Sequence, residues 1–409
     1  LHTHDTTGNG VYTYARAVDA GVDVIDVAMS AFSGATSQPS MGAVYYSLTG
    51  HDRQPELDIH AANRINDYWT GVRPYYRDFM SETVGTQTDI FDVEMPGGQY
   101  SNLQQQAQAL RLGDRWNDVK KMYVTVNKMF GDIIKVTPSS KVVGDMALFM
   151  VQNDLTPEKV LANGQSIDFP QSVIDFFAGD LGQPVGGFPQ DLQKVVLKGQ
   201  KPITVRPGEL TAPADFATEE AALKEKIHRQ PTAEEVISYI LYPKVFLDYM
   251  ANNDKFGPMT VLDTPTFFQG MRLGERIDVT MGKGQTVIFQ LEEIGEPNVD
   301  GIRTLYFDVN GTPLEIDVQD ASIQTTTVVR RKAEPSNEHE IGATMAGSVL
   351  SVNVENGQSV KQGDTLLVTE AMKMETTVQA PFNGTIKQVY VSAEDMVDGG
   401  DLLLEIEPN

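Results

Sequence analysis

The chain contains one sequence pattern twice, and a single lysine stands between the two copies. Residues 347–367 align without gaps on residues 384–404, so that Val352 corresponds to Val389. Apolar and polar residues alternate in both copies and glycines recur at matching turns, which predicts paired strands in a two-fold, flattened β-barrel. Lys373 lies between the copies, where a hairpin turn would hold its amine away from the barrel.

The residues around Lys373 indicate how its amine could be modified. An exposed lysine on a hairpin is common and indicates nothing by itself. Here two methionines flank it, in Glu-Ala-Met-Lys-Met at 370–374. With the repeat, this resembles the biotinyl carrier domain of biotin-dependent carboxylases, whose Ala-Met-Lys-Met turn carries biotin in amide linkage. Lipoyl domains share the fold but typically flank their lysine with acidic and small residues. The resemblance implies biotin on Lys373, with loss of the ammonium charge, and a biotin protein ligase as partner.

Composition excludes several classes of protein. At 409 residues the chain is long enough for about two to four domains. Its hydrophobic fraction is 41% and no apolar run approaches the length of a membrane span. The absence of cysteine excludes a disulfide framework and a thiolate metal site, and suits a reducing, cytoplasmic setting. The net charge of −24 repels phosphate backbones, so we expect neither a nucleic-acid nor a membrane partner.

Periodicity along the chain predicts a multidomain α/β plus all-β protein. Residues 1–52 have the pattern of a strand end, a helix and a buried β-branched strand at Gly21–Ala28, and residues 53–255 are mainly helical. Residues 256–327 have the pattern of a four-stranded β module with a tight Asn310-Gly311 hairpin. Residues 328–340 are charged and aperiodic, which predicts a linker before a carrier domain at 341–409. The predicted helices after residue 53 are 59–69, 102–112, 114–130, 140–152, 157–162, 219–229 and 233–250.

The first residues contain a candidate metal site. In a strand, His2 and His4 would point to the same face, and the C-terminal end of a barrel strand is where an active site gathers. Paired imidazoles suit a divalent ion such as Zn or Mn. Two histidines on an exposed strand would give the same pattern, and a complete site needs at least one carboxylate or equivalent from outside this chain. Asp23 and Asp26 are three apart, which predicts opposite faces and structural roles.

The Thr137 hydroxyl both donates and accepts hydrogen bonds, which is a property that a proton relay needs. Pro138 restricts Thr137 to extended backbone angles. Either Ser139 or Ser140 is suited to cap a helix that begins near Lys141. A plain helix-start turn has the same sequence, so the residues alone leave both interpretations open.

Four further motifs, at residues 2–10, 94–103, 136–145 and 181–189, resemble the carboxyltransferase domain of pyruvate carboxylases and occur in that family's order. The resemblance covers essentially the whole chain. It implies the C-terminal end of a (β/α)8 TIM barrel at 1–52, its helical extension at 53–255, a module similar to the family's tetramerisation domain, and a tetramer. It also implies that Thr137 is the catalytic hydroxyl and that Ser140 and Lys141 contact biotin. By the same resemblance His2 and His4 bind the metal, together with an aspartate and a carbamylated lysine from earlier strands.

The function implied is carboxyl transfer from carboxybiotin to pyruvate, giving oxaloacetate and replenishing the citric acid cycle. Bicarbonate, ATP and Mg would be used by a part outside these residues. The chain opens at Leu1 without an initiator methionine, so we expect one segment of a longer polypeptide that cannot complete the reaction alone.

Two alternatives remain open. The carboxyltransferase subunit of an oxaloacetate decarboxylase has a related barrel and carrier, usually joined by a long Ala/Pro-rich tether, whereas here the predicted β module fills that interval. A non-catalytic carrier and assembly piece would use only Lys373 and the β module.

Overall fold

Helices occupy the chain up to Gln269, and antiparallel strands follow. The computed structural model describes residues 1–80, 85–299, 301–320, 322, 330–334, 337–371 and 374–408. One unit comprises Leu1–Arg73, Met80–Leu210 and Val329–Asn409, and a second comprises Pro74–Phe79 and Thr211–Val328. The helices are α1 (Gly10–Asp19), α2 (Met41–Ser47), α3 (Ile59–Val72), α4 (Ile90–Val93), α5 (Gly97–Ala109), α6 (Trp116–Met129), α7 (Ser139–Gln152), α8 (Pro157–Asn163), α9 (Gln171–Ala178), α10 (Gln190–Leu197), α11 (Phe216–Ile227), α12 (Ala233–Leu241), α13 (Pro243–Phe256) and α14 (Thr264–Gln269).

The segment around residues 21–28 differs from its predicted strand. Only Ala28 forms a β-bridge, a parallel one with Ser40. On the other side, Leu1 exchanges main-chain hydrogen bonds with Val24 and Asp26. A parallel strand needs a continuous ladder, and within the described residues this segment meets each neighbour only briefly, leaving Val24 exposed. The prediction of a buried strand at Gly21–Ala28 is therefore wrong for this structure.

The helical part of the first unit is organised around α7. Its Met146, Phe149 and Met150 are almost fully buried, and they share one core with Phe176 and Phe177 of α9. The spacing of Met146, Phe149 and Met150 (i, i+3, i+4) puts their side chains on one face of α7, and that face is buried. The core extends over α5, α6 and α10, so that helices before and after α7 are packed around it. None of the described helices combines the length and apolar character needed to cross a membrane.

The second unit combines helices with one antiparallel sheet. The sheet has the order β1 (Arg276–Gly282), β2 (Gln285–Ile294), β3 (Ile302–Val309) and β4 (Thr312–Gln319). Asn310 and Gly311 both have positive φ, 52° and 84°, as the predicted tight hairpin requires. The helix predicted over 233–250 is instead two helices that meet at Tyr242, because Pro243 cannot donate the hydrogen bond that would continue α12. Contacts place α11–α13 with the sheet; the boundary predicted at residue 255 stays a prediction.

The C-terminal residues form two four-stranded sheets with identical topology. Their orders are β5-β12-β10-β7 and β9-β8-β6-β11. The pairing Ser348↔Glu370 between β6 and β8 recurs as Thr385↔Glu407 between β10 and β12, with a bulge at the matching place. The two-fold repeat read from the sequence is thus present as backbone register. The strands are β5 (Glu340–Gly342), β6 (Gly347–Val352), β7 (Ser359–Val360), β8 (Thr365–Ala371), β9 (Met374–Gln379), β10 (Gly384–Val389), β11 (Met396–Val397) and β12 (Leu402–Pro408).

Part of the predicted linker is ordered against this carrier. Lys332 forms an antiparallel bridge with Asp401, and the amide of Ala333 donates to the carbonyl of Gly400. Arg331 is paired with Glu340. The sequence did not indicate this pairing of residues 332 and 333 with the carrier, because it uses main-chain groups that every residue carries.

Candidate active site and carrier

A pocket of about 660 Å³ opens beside the first residues of the chain. Its walls include His2, His4, Tyr12, Met95 and Gly97. The imidazole rings of His2 and His4 border the same space, with their centroids 5.2 Å apart and their planes at 83°. The structure therefore brings together the two histidines that the sequence singled out.

Each imidazole uses Nδ1 for a hydrogen bond inside the protein. Nδ1 of His4 lies 2.5 Å from the carbonyl oxygen of Thr36, and because a carbonyl only accepts, Nδ1 must carry the proton. Nδ1 of His2 lies 3.1 Å from Oδ2 of Asp26, an acceptor of the same kind. In the neutral imidazole, a proton on Nδ1 leaves Nε2 with its lone pair, which is the tautomer of metal-binding histidines.

Two contacts fix the segment that carries these rings. The hydroxyl of Tyr14, on α1 and fully buried, donates to the carbonyl of Asp26 and accepts from the amide of Thr3. At the start of α5, a Cβ built on Gly97 would lie 2.6 Å from the Cβ of His4. Glycine at 97 is therefore what allows α5 to approach the histidine this closely.

Thr137 lies on an exposed loop and is not among the described residues that line the pocket. The loop is nevertheless tied to the pocket wall, because Nζ of Lys135 lies 3.0 Å from Oε2 of Glu94, the residue before Met95. The predicted serine cap is wrong, since α7 begins at Ser139 with Pro138 as N-cap and without a side-chain cap bond. Instead, Oγ of Ser139 lies 2.7 Å from the carbonyl oxygen of Val136 and so stiffens the Thr137 loop.

Ser140 and Lys141 follow Thr137 on the first turn of α7. Ser140 is buried, whereas the side chain of Lys141 is 41% exposed and its Nζ lies 2.5 Å from Oδ2 of Asp145. One turn along α7, Gly144 packs directly against Gln99, two residues after Gly97. The first turn of α5, which begins beside His4, is thus in contact with the second turn of α7, one turn after Ser140 and Lys141.

Lys373 lies outside the described residues. Its surroundings are defined on both sides, because Ala371 at the end of β8 pairs with Met374 at the start of β9. Two residues therefore connect the strands, as a β-hairpin with a tight turn requires. The hairpin position of Lys373 itself stays a prediction.

The hairpin end of the carrier contacts the helices. Gly347 pairs with Val397, and the adjoining Ser348 pairs with Glu370, so residues next to 347 and 397 belong to the same end of the carrier as the hairpin. At this end Met345 is buried within the helical core, and Arg111 is paired with Asp398.

A second contact holds the far end of β9. The carboxylate of Asp168 accepts from the amide of Gln379 and lies 3.4 Å from Nζ of Lys198. Burial raises the pKa of Asp168, while Lys198 and the amide oppose that rise. The carrier is thus seated on the helices through charged and apolar contacts together.

Sequence reasoning missed the residues that hold the site residues in place. Asp26 was given a structural role only, Thr36 was not considered, and the Lys141–Asp145 pair went unnoticed. The last pair had a readable signal, because residues four apart on a helix are neighbours. Within the described part of the chain, no group of three or more His, Asp or Glu side chains could hold a metal.

Two family models match the chain, a conserved carboxylase domain over residues 90–290 and a biotin-requiring enzyme domain over residues 339–406. Pyruvate carboxylase of Bacillus subtilis is 54% identical over 407 residues, which is 100% of this chain and 36% of that protein. The chain belongs to the pyruvate carboxylase family. The resemblance seen in the motifs and the repeat is thereby confirmed, and the chain spans about a third of the length of these relatives.

Other members of the family support the same relation. Pyruvate carboxylase 1 of Caenorhabditis elegans is 40% identical over 100% of this chain and 35% of its own length. The complete multifunctional pyruvate carboxylase of Rhizobium etli matches with a TM-score of 0.70 and 45% identity, over 99% of this chain and 37% of that one. The carboxyl transferase domain of the same enzyme, solved with pyruvate and biocytin, has a TM-score of 0.72 and 45% identity, over 78% of this chain and 54% of that one. A mixed α/β plus β fold is thus confirmed for this chain.

Proposed function

We propose that this chain is the carboxyltransferase and biotin-carrier portion of a pyruvate carboxylase, which moves a carboxyl group from carboxybiotin to pyruvate to give oxaloacetate. The observation that carries the proposal is the match to a carboxyl transferase domain solved with pyruvate and biocytin, at 45% identity over 78% of the chain. The paired histidines and the lysine hairpin supply chemistry that this reaction requires.

Thr137 is proposed as the proton carrier. A proton must leave the methyl group of pyruvate while another reaches the ring nitrogen of biotin. The Thr137 hydroxyl accepts the first proton as it donates its own, so it never becomes a free alkoxide. The bonds of Ser139 to the loop fix the backbone from which this hydroxyl projects, and such a relay contributes mainly through positioning.

His2 and His4 are proposed as ligands of a divalent metal, Mn or Zn. Their free Nε2 atoms fit that role, and the resemblance implies an aspartate and a carbamylated lysine as the other ligands. When bound, the metal would polarise the pyruvate carbonyl as a Lewis acid. The contribution of this chain is to hold both rings with Nδ1 occupied by Asp26 and Thr36, which leaves Nε2 as the ligand atom.

Lys373 is proposed as the attachment site that a biotin protein ligase modifies. When attached, biotin carries the carboxyl group on a long arm that ends in a neutral ureido ring. Ser140 and Lys141 are proposed to contact that ring, because they lie in the first turn of α7, directly after the loop that carries Thr137.

The finer architecture follows the family. Residues 1–52 would complete a TIM barrel, residues 256–327 would serve tetramerisation, and the full-length protein would use ATP, Mg and bicarbonate in the cytoplasm. The sheet β1–β4 occupies the interval where oxaloacetate decarboxylase subunits usually have a tether. A requirement for ATP rather than for sodium would separate these two enzymes.

Thr137→Ala in the full-length protein tests the proposal. We expect oxaloacetate formation to fall at least about 100-fold, with biotin-dependent ATP cleavage retained and Thr137→Ser partly active. Intact mass would verify that Lys373 is equally biotinylated in each variant. Unchanged carboxyl transfer in Thr137→Ala would overturn the assignment and favour an assembly role.

A further inference from the structure

The Asp145 carboxylate is buried without the full set of partners such a group normally has. Its side chain is 0% exposed. Oδ2 accepts from Lys141 at 2.5 Å and from Ser172 Oγ at 2.6 Å, while Oδ1 has no partner in the described part of the chain. Burying a carboxylate is unfavourable unless it is paired, and Lys141 is the cation that Asp145 contacts.

Lys141 and Asp145 differ in their exposure to solvent, and this difference suggests a role for the pair. Lys141 is 41% exposed and Asp145 is not exposed at all, so the carboxylate is the fixed member and the ammonium the member that can reach a ligand. Ser172, at the start of α9, holds the carboxylate from a second helix. A flexible four-carbon side chain is thereby restricted, with its ammonium held against the turn of α7 that contains Asp145.

Burial also makes the carboxylate sensitive to its surroundings. Desolvation raises the pKa of Asp145, and the neighbouring charge of Lys141 opposes that rise. The Lys141 ammonium therefore stabilises the ionised form of this buried carboxylate.

We propose that Asp145 is a positioning residue for carboxyl transfer: it orients the Lys141 ammonium so that this group meets the ureido ring of biotin. The inference rests on the proposed function, in which Lys141 contacts biotin. Asp145 itself touches neither substrate nor cofactor and acts through Lys141 alone.

The reaction to measure is the reverse transfer with free biotin as acceptor, in the full-length protein. The C–C bond to the transferred carboxyl of oxaloacetate breaks and an N–C bond to the biotin ring forms. The ring N–H proton passes to the enolate carbon, which gives pyruvate. Calorimetry with free biotin supplies a dissociation constant without turnover.

We expect Asp145→Asn to raise both the KM and the Kd for free biotin by roughly tenfold and to leave the KM for oxaloacetate unchanged. Ser172→Ala, which removes one hydrogen bond to the carboxylate, should shift biotin affinity in the same direction by less. Asp175→Asn is the matched control, because Asp175 is a partly buried carboxylate on α9 that accepts from Gln171 and, among the described residues, pairs with no lysine; it should leave biotin affinity unchanged.

The decisive comparison uses Lys141→Ala. If Asp145 acts through Lys141, Asp145→Asn adds no further loss of biotin affinity in the Lys141→Ala background. Should Lys141→Ala weaken biotin binding while Asp145→Asn and Ser172→Ala only lower the Tm, the positioning role is overturned and the proposed contact stands. If Lys141→Ala leaves biotin affinity unchanged, the proposed contact fails and the inference fails with it.

Discussion

Single hydrogen bonds decide what the two histidines can do. Both side chains are ordinary imidazoles, and a ring whose Nε2 carried the proton could not bind a metal through that atom. The Thr36 carbonyl and the Asp26 carboxylate each hold the proton on Nδ1. The pocket chemistry thus depends on acceptors that lie 24 and 32 residues away in sequence from their histidines.

Asp26→Ala should weaken metal binding at His2 and His4 by about 10- to 100-fold, because His2 loses the acceptor that sets its tautomer and ring orientation. Competition titration with a metal chelator in the full-length protein measures this. Asp23→Ala is the matched control, since Asp23 is almost fully exposed in the same segment and contacts Arg53 rather than a histidine. Equal affinities in the two variants would contradict the role given to Asp26.

At the level of elements, the sequence predicted local pairing well and non-local pairing poorly. The Asn310-Gly311 hairpin and the repeated strands were readable, because their partners are close in the chain and leave a period-two pattern. The strand expected at residues 21–28 failed, since β-branched composition says nothing about whether a neighbouring ladder exists. The boundary between α12 and α13 also has a local signal, because a proline such as Pro243 ends the helix that precedes it. The tautomers of His2 and His4 were not readable at all, because they depend on tertiary contacts.

The N-terminal cap of α12 can be tested through the pH dependence of protein stability. Thr232 and Glu235 form a capping box, and Arg229 also donates to the Glu235 carboxylate. Mainly through Arg229, the pKa of Glu235 is lowered from its ordinary 4.5 to about 2. A carboxyl group whose pKa is lowered by folding stabilises the folded protein at pH values above its unfolded pKa. For Glu235 this stabilisation is lost as the pH falls from 4.5 towards 2.

We therefore expect Glu235→Gln to be less stable than the parent at pH 7, with the difference in unfolding free energy shrinking as pH falls below about 4.5. Thermal unfolding across this range measures the difference. Glu234→Gln, at the neighbouring first-turn position without the capping bonds, should show a smaller and flatter difference. A Glu235→Gln difference that did not change with pH would refute the assigned pKa shift.

At the scale of the first unit, the carrier is both a complete small barrel and a docked body. Its own core is continuous between the two sheets, with Leu366, Leu403 and Ile406 fully buried. Its contacts to the helices come from other residues, among them Met345, Gln379 and Asp398. A carrier whose folding and docking rest on separate side chains can leave the helices without unfolding, which a travelling biotin arm requires.

The sequence repeat offers two matched variants that test whether folding and docking of the carrier depend on separate side chains. Met345 and Phe382 stand at equivalent positions, two residues before Gly347 and Gly384, yet Met345 packs into the helical core and Phe382 into the carrier core. We expect Met345→Ala to loosen docking, seen as faster proteolysis between residues 328 and 340, while amide hydrogen exchange within β6 and β8 stays slow. Phe382→Ala should instead speed amide hydrogen exchange within β6 and β8 and leave docking intact, because Phe382 packs against the carrier core. If both variants destabilised the barrel equally, docking and folding would be one cooperative event, and the carrier could leave the helices only by unfolding.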